Sequence, residues 1–154
     1  MRAAVLASGD GSKLQSILDA VYFGEIPNFE LVILADYDLD LGVIPYQFKN
    51  SIIGTYPSLI PAFEANEDGN IFRAALERGV KLTGATAYFA DNDGRVGNII
   101  LQKPVEILPD DTPDTLARRV LEDAEWELLP EAVSLYCQGR LSIHGNRVVI
   151  KDMN

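Results

Sequence analysis

The sequence predicts an α/β domain built on a mostly parallel sheet, and three observations carry that prediction. The apolar run Arg2–Ala7 passes through a glycine-rich turn into an amphipathic helix. Phe29–Ala35, FELVILA, is apolar but for Glu30, close to the pattern of a parallel strand buried on both faces. Two long strand-like segments follow later, KLTGATAYFAD and GNIILQKPVEIL, joined by the short turn NDGRV. Strand–helix alternation in front and long strands behind define this class. At 154 residues the simplest organisation is one domain, 1–154, with no internal repeat, linker or low-complexity segment.

The elements follow in order. After Arg2–Ala7, SGDGSKLQ turns the chain into a helix near Ser12, a plausible N-cap. Leu14, Ile17, Leu18, Val21 and Tyr22 share one helical face, and Gly24 and Pro27 end the helix. The acidic loop DYDLDLG follows Phe29–Ala35, then a short helix around Ile44–Lys49. SIIGT is a third strand, and PSLIPAFEANEDG is irregular and rich in turn formers. Asn70–Arg78 is a helix. The two long strands come next. DTPDTLARR opens another helix, with Asp111 or Thr112 as cap and Pro113 near its first turn. Its apolar positions continue to Cys137, and Pro130 is expected to kink or divide it. GRLSIHGNRVVIKD is a hairpin turning at Gly145-Asn146.

Composition narrows the function classes. Apolar residues make up 47% and charged residues 23%, as in an ordinary globular protein. The formal net charge is −10, with 23 acidic against 13 basic residues. That surface repels phosphate backbones and argues against a nucleic-acid partner, while leaving room for a small phosphorylated ligand in a local pocket. No apolar run is long enough to span a bilayer. The N-terminal apolar run stops at Gly9-Asp10-Gly11, too short for a signal peptide, and is taken as a buried strand. Cys137 is the only cysteine, so no internal disulfide can form and a cytoplasmic location is expected.

Among the motifs, the turn SGDGSKLQ places backbone N–H groups at a helix start, where an anion can be held. It is not a full dinucleotide fingerprint, because Leu14 stands where the third glycine belongs, and it lacks P-loop spacing. The pattern alone leaves a phosphate site and a plain tight turn open; Lys13 favours an anion. His144, the sole histidine, sits by a hairpin turn far along the chain, where a solvated or packed role is the simpler one. No G-x-S-x-G elbow accompanies it, and one Cys with one His leaves only carboxylates, none at ligand spacing, so no metal site is expected. Asp36, Asp38 and Asp40 alternate along a loop and are taken as solvated. Glu125 and Trp126 lie on the late helix, where a buried Trp is most simply core.

Taken together, several segments resemble phosphoribosylglycinamide formyltransferase, the folate-dependent formyltransferase family of purine biosynthesis. VLASGDGSKLQSILDA resembles that family's opening strand, phosphate loop and helix; LVILADYDLDLG its central strand and folate loop; FKNSIIGTYPSLIPAFE its NIHPSLLP catalytic segment. ALERGVKLTGATAYFADNDGRVGNIILQKPVEILPDDTPDTLARRV and EWELLPEAVSLYCQGRLSI follow its second half almost without gaps. FELVILADYD can also be aligned with the family's second strand; the central-strand match keeps the following segment in step to within one residue. The resemblance implies a Rossmann-like formyltransferase fold with a C-terminal hairpin. It also implies that an edge strand–helix–strand–helix block is missing, which leaves Arg2–Ala7 as a new sheet edge and a pairing hazard or homodimer seam.

The resemblance further implies that the catalytic set is replaced. The family uses Asn and His from NIHPSLLP to bind the oxyanion and an Asp before G-P-I-I-L-Q to support the His. Those positions are Gly54, Tyr56 and Arg95 here. Gly54 has no donor, Tyr56 is a poor proton shuttle near neutral pH, and Arg95 reverses a charge and cannot act as a base. Binding positions are better kept. Gly11, Ser12 and Lys13 match the phosphate loop. Glu125 matches the acid on the ribose hydroxyls, with one extra residue between it and Val120. Asp36 opens the folate loop, in which Asp38 and Leu39 replace a Met and an Arg. The expectation is a degenerate homologue without formyl transfer, a pseudoenzyme that keeps at most phosphate, nucleotide or folate-like binding, with 10-formyltetrahydrofolate as the ligand the resemblance offers. Two alternatives stand beside it: an active transferase or hydrolase with a rearranged pocket using Tyr56 and Arg95, and an assembly or regulatory partner protein.

Overall fold

The computed structural model describes residues 2–7, 12–27, 30–35, 51–64, 69–91 and 95–152. Gly11, Asp36, Asp38, Leu39 and the helix expected around 44–49 lie outside the described residues. Strand β1 (Arg2–Ala7) runs into helix α1 (Ser12–Tyr22) and back to β2 (Glu30–Ala35). β1 and β2 pair in parallel, in unbroken register from Arg2↔Glu30 to Ala7↔Ala35. A parallel pair needs a crossover, and α1 supplies it. Among the described residues β1 pairs with β2 alone.

The second half is antiparallel. β3 (Ile53–Tyr56), β4 (Leu82–Ala90) and β5 (Val96–Glu106) form a sheet in the order β3-β4-β5. The β4–β5 pair is antiparallel, as its short connection requires, because parallel neighbours cannot be joined by so few residues. Helix α2 (Ile71–Arg78) lies between β3 and β4 in the chain, capped by the Asn70 side chain, which accepts from the Arg73 N–H at 2.8 Å. The C-terminal hairpin forms as expected, β6 (Leu141–His144) with β7 (Arg147–Ile150) around Gly145.

Helix α3 (Pro113–Val120) starts at Thr112, whose side chain and that of Thr115 cap each other's backbone N–H groups. Asp111, the other candidate cap, instead takes a two-pronged ion pair from Arg119, with N–O distances of 2.5 and 2.7 Å. Pro130 does not divide the helix, which corrects that part of the expectation. Helix α4 (Trp126–Cys137) continues through Pro130, and the break from α-helical geometry comes earlier, as a π turn over Leu121–Glu125. There the Trp126 N–H reaches back to the Leu121 carbonyl, one residue further than in an α-helix. A π turn absorbs one extra residue without rotating the helices on either side. The one extra residue that the resemblance implied between Val120 and Glu125 falls within the span of this π turn.

The main core lies between the β3-β4-β5 sheet and these helices. Ala85, Ala87, Phe89, Ile100 and Val105 meet Leu116, Val120, Ala124, Leu128 and Ala132. Small residues on β4 let the helices approach closely, and β4 is buried from Thr83 to Ala90 except at Tyr88. A smaller cluster, Ile17, Ala20 and Ile26, packs α1 against Leu129 and Val133 of α4. This packing brings the start of α1, strand β3 and the π turn together.

Candidate active site

The exit of β3 is where the sequence located the catalytic segment, and strand alternation sorts its side chains onto two faces. Thr55 points to one side, Gly54 and Tyr56 to the other. On the Thr55 side three residues from three elements meet. Glu125, at the end of the π turn, is only 5% exposed. The Thr55 hydroxyl donates to Glu125 Oε2 at 2.6 Å. Lys13, in the first turn of α1, donates to Thr55 Oγ1 at 3.1 Å and forms an ion pair with Glu125 Oε2. The Lys13 side chain is 45% exposed, so this buried carboxylate is neutralised by a cation that still reaches solvent. Two residues expected to touch different parts of one ligand are thus bound to each other. Thr55 was not singled out from the sequence; the alternation within IGTY was the signal that would have found it.

The three positions that the resemblance matched to catalytic residues fare differently. The Tyr56 hydroxyl is turned onto the loop that follows, 3.4 Å from the Phe63 carbonyl and 3.3 Å from that of Glu64. Arg95 sits at the β4–β5 connection; its N–H donates to Asp91 Oδ1 at 2.8 Å and its carbonyl accepts from the Asp91 N–H at 2.9 Å. Gly54 lies opposite Tyr88 in the β3–β4 ladder. A Cβ at position 54 would stand 2.9 Å from the Tyr88 hydroxyl oxygen, so the end of that ring fills the place of a side chain here. Burial pushes the Tyr88 phenol above its ordinary value, and the negative potential of Tyr56, Asp91 and Glu125 adds to it. Sequence reasoning missed Tyr88 because it followed the catalytic positions and not their cross-strand neighbours.

The loop after Tyr56 is firmly framed. Ser58 is fully buried and donates to the Ala62 carbonyl at 2.6 Å. Thr86 on β4 donates to the Ser58 carbonyl at 2.7 Å and accepts from the Ile60 N–H at 3.2 Å and Gln102 Nε2 at 3.0 Å. Gln102 also donates to the Ile60 carbonyl at 3.0 Å. Every donor and acceptor of the Thr86 hydroxyl is therefore in use, which fixes Pro57–Pro61 against the sheet.

Other candidates lie apart. His144 is exposed on the β6–β7 hairpin, its Nε2 3.3 Å from Ser142 Oγ. Trp126 is 38% exposed and not core, a correction to its expected place. It lines a hollow of about 610 Å³ between α1 and α4 that includes neither Lys13 nor Thr55. Burial pushes the Cys137 thiol up, away from a reactive thiolate. Among the described residues no group of His, Cys, Asp and Glu could hold a metal, and no helix is long and apolar enough to cross a membrane.

Comparison with known proteins identifies the family. A family model described as formyl transferase matches residues 25–133. The chloroplastic phosphoribosylglycinamide formyltransferase of Arabidopsis thaliana is 33% identical over 118 residues, covering 73% of this chain and 39% of that protein. The formyltetrahydrofolate deformylase of Synechocystis sp. is 36% identical over 132 residues, covering 79% of this chain and 45% of that protein. The chain thus spans less than half the length of either relative. The crystal structure of glycinamide ribonucleotide transformylase 1 from Symbiobacterium toebii superposes with a TM-score of 0.83 at 30% identity, covering 99% of this chain and 94% of that one. The fold is therefore the α/β, Rossmann-like fold of these enzymes, and the chain belongs to the formyl transferase family.

Proposed function

We propose that this chain is a degenerate homologue of phosphoribosylglycinamide formyltransferase, a pseudoenzyme that binds a folate-like or phosphorylated ligand without transferring the formyl group. The observation that carries the reading is the combination at β3 of a framed loop with displaced chemistry. Pro57–Pro61 are held by Ser58, Thr86 and Gln102, while Gly54 offers no side chain and the Tyr56 hydroxyl faces loop carbonyls. Losing one oxyanion donor costs about 10²–10³ in rate. Losing acid–base assistance costs about 10²–10⁴, and the two losses do not simply add. Either leaves little flux.

Binding has better support. Lys13 and Glu125 come from different elements and meet at Thr55, next to each other as the phosphate and ribose assignments require. Their ion pair also sets a cost, since a phosphate must draw Lys13 away from Glu125. The folate side is therefore the stronger expectation, with 10-formyltetrahydrofolate as the ligand and a reducing cytoplasm as the setting. The rearranged-pocket alternative draws less support, because Tyr56 is engaged with the backbone of residues 63 and 64. A homodimer through the β1 edge remains part of the proposal, and light scattering reads it. Calorimetric titration with 10-formyltetrahydrofolate and with glycinamide ribonucleotide tests the main reading. Saturable heat with the folate is expected; dilution heats alone with both compounds would overturn it.

A further inference from the structure

We propose that the Tyr88 hydroxyl is the hydrogen-bond donor on the Gly54 side of β3, standing in the volume that position 54 leaves empty, and that it takes a neutral carbonyl oxygen of formyl or amide type. The inference rests on the ligand-binding reading above and names the group that recognises the ligand.

Directly opposed residues of an antiparallel pair have side chains in contact, and glycine lets its neighbour's ring lie over bare backbone. Gly54 and Tyr88 are such a pair. A Cβ on Gly54 would lie 2.9 Å from the hydroxyl oxygen, 3.0 Å from Cζ and 3.4 Å from Cε1 of Tyr88. The polar end of the ring, not its middle, therefore occupies the space. The β4–β5 register shifts on both sides of Tyr88, between Ala87 and Tyr88 and between Tyr88 and Ala90. Such bulges re-aim a side chain and are frequent beside active sites. Tyr88 is also the one residue between Thr83 and Ala90 that solvent reaches. A half-buried tyrosine hydroxyl normally has a partner. Among the described residues no hydrogen bond serves this one.

Its surroundings select the ligand atom. Burial first, and then Tyr56, Asp91 and Glu125, make the phenolate less favourable, so the group stays a protonated donor. A neutral carbonyl oxygen accepts from such a donor without bringing an unpaired charge into a half-buried place. If Tyr88 were only filling space over Gly54, phenylalanine would serve as well, and that difference is measurable.

The full chain labelled at tyrosine ¹³Cζ would be titrated with 5-formyltetrahydrofolate and, separately, with tetrahydrofolate lacking the formyl group. The Tyr88 resonance, assigned by its loss in Tyr88→Phe, is expected to move with the formyl compound only. Tyr88→Phe is expected to bind the formyl compound about tenfold more weakly, the worth of one net hydrogen bond, and tetrahydrofolate unchanged. Gly54→Ala pushes the ring end aside and should produce a similar loss that does not add to that of Tyr88→Phe. Equal affinity of wild type and Tyr88→Phe for the formyl compound would overturn the role of Tyr88 and leave folate binding standing. Additive losses would overturn it too. Failure of the wild type to bind either compound would remove the ligand reading and this inference together. Should Tyr88→Phe not fold, Gly54→Ala and the wild-type resonance decide.

Discussion

Removing Lys13 should destabilise the protein more than removing Lys13 and the charge of Glu125 together. Glu125 is 5% exposed and its described partners are the Thr55 hydroxyl and the Lys13 ammonium. Lys13→Met leaves a buried carboxylate with one neutral donor. A hydrogen bond to a charged group contributes about 1.5–3 kcal/mol. Lys13 is nearly half exposed, so solvent screening reduces the figure, and about 1 kcal/mol is the working estimate for the single variant. In Lys13→Met/Glu125→Gln the uncompensated charge is gone, and most of that loss should return. Urea unfolding followed by the fluorescence of Trp126, the only tryptophan, provides the assay. Equal midpoints for Lys13→Met and wild type, or a double variant less stable than Lys13→Met by the full Glu125→Gln loss, would refute the coupling.

Three other outcomes follow. Deleting Asp123, exposed in the π turn, should close that turn into α-helix and leave stability within about 1 kcal/mol of wild type. Deleting Arg118 instead turns Leu116 away from the core by about 100° and should prevent folding; similar thermal melts for the two deletions would contradict the account. Gly84→Ala should cost about 3 kcal/mol in a denaturant titration. Its Cβ would overlap the Lys103 carbonyl oxygen and stand 2.8 Å from Leu59 Cδ2. The Arg119 guanidinium holds the Asp111 carboxyl well below the usual carboxylate range, against the opposing effect of burial. A depressed folded value stabilises the protein above the unfolded carboxyl's pKa of about 4 and loses that effect as pH falls through the folded value. Asp111→Asn should therefore lower the melting temperature at pH 6 and converge with wild type toward pH 2; a constant gap would contradict the ion pair.

Much of this fold was legible because local signals agreed with one another. Leu31–Ala35 is apolar throughout and lies in β2; Thr112 and Asn70 are capping residues and cap α3 and α2. Pro130 misled because proline removes one donor and clashes only with its own preceding turn. The helix absorbs that cost and continues to Cys137, while the departure from α-helical geometry lies in the π turn over Leu121–Glu125. The candidate site was legible along single strands but not across them. Gly54, Tyr56, Lys13 and Glu125 each carry a type and a spacing. Thr55 gains meaning only when α1 and the π turn converge on it. Tyr88 gains it only when register puts it opposite a glycine. Those facts are tertiary, and no periodicity in the sequence encodes them.

The central claim is that this member of the formyl transferase family keeps a cleft whose transfer chemistry has been replaced. Formyl transfer from 10-formyltetrahydrofolate to glycinamide ribonucleotide, followed under single-turnover conditions with enzyme in excess, tests it most directly. No transfer above the uncatalysed background is predicted. Turnover within the usual enzymatic range of about 1–10³ s⁻¹ would contradict it.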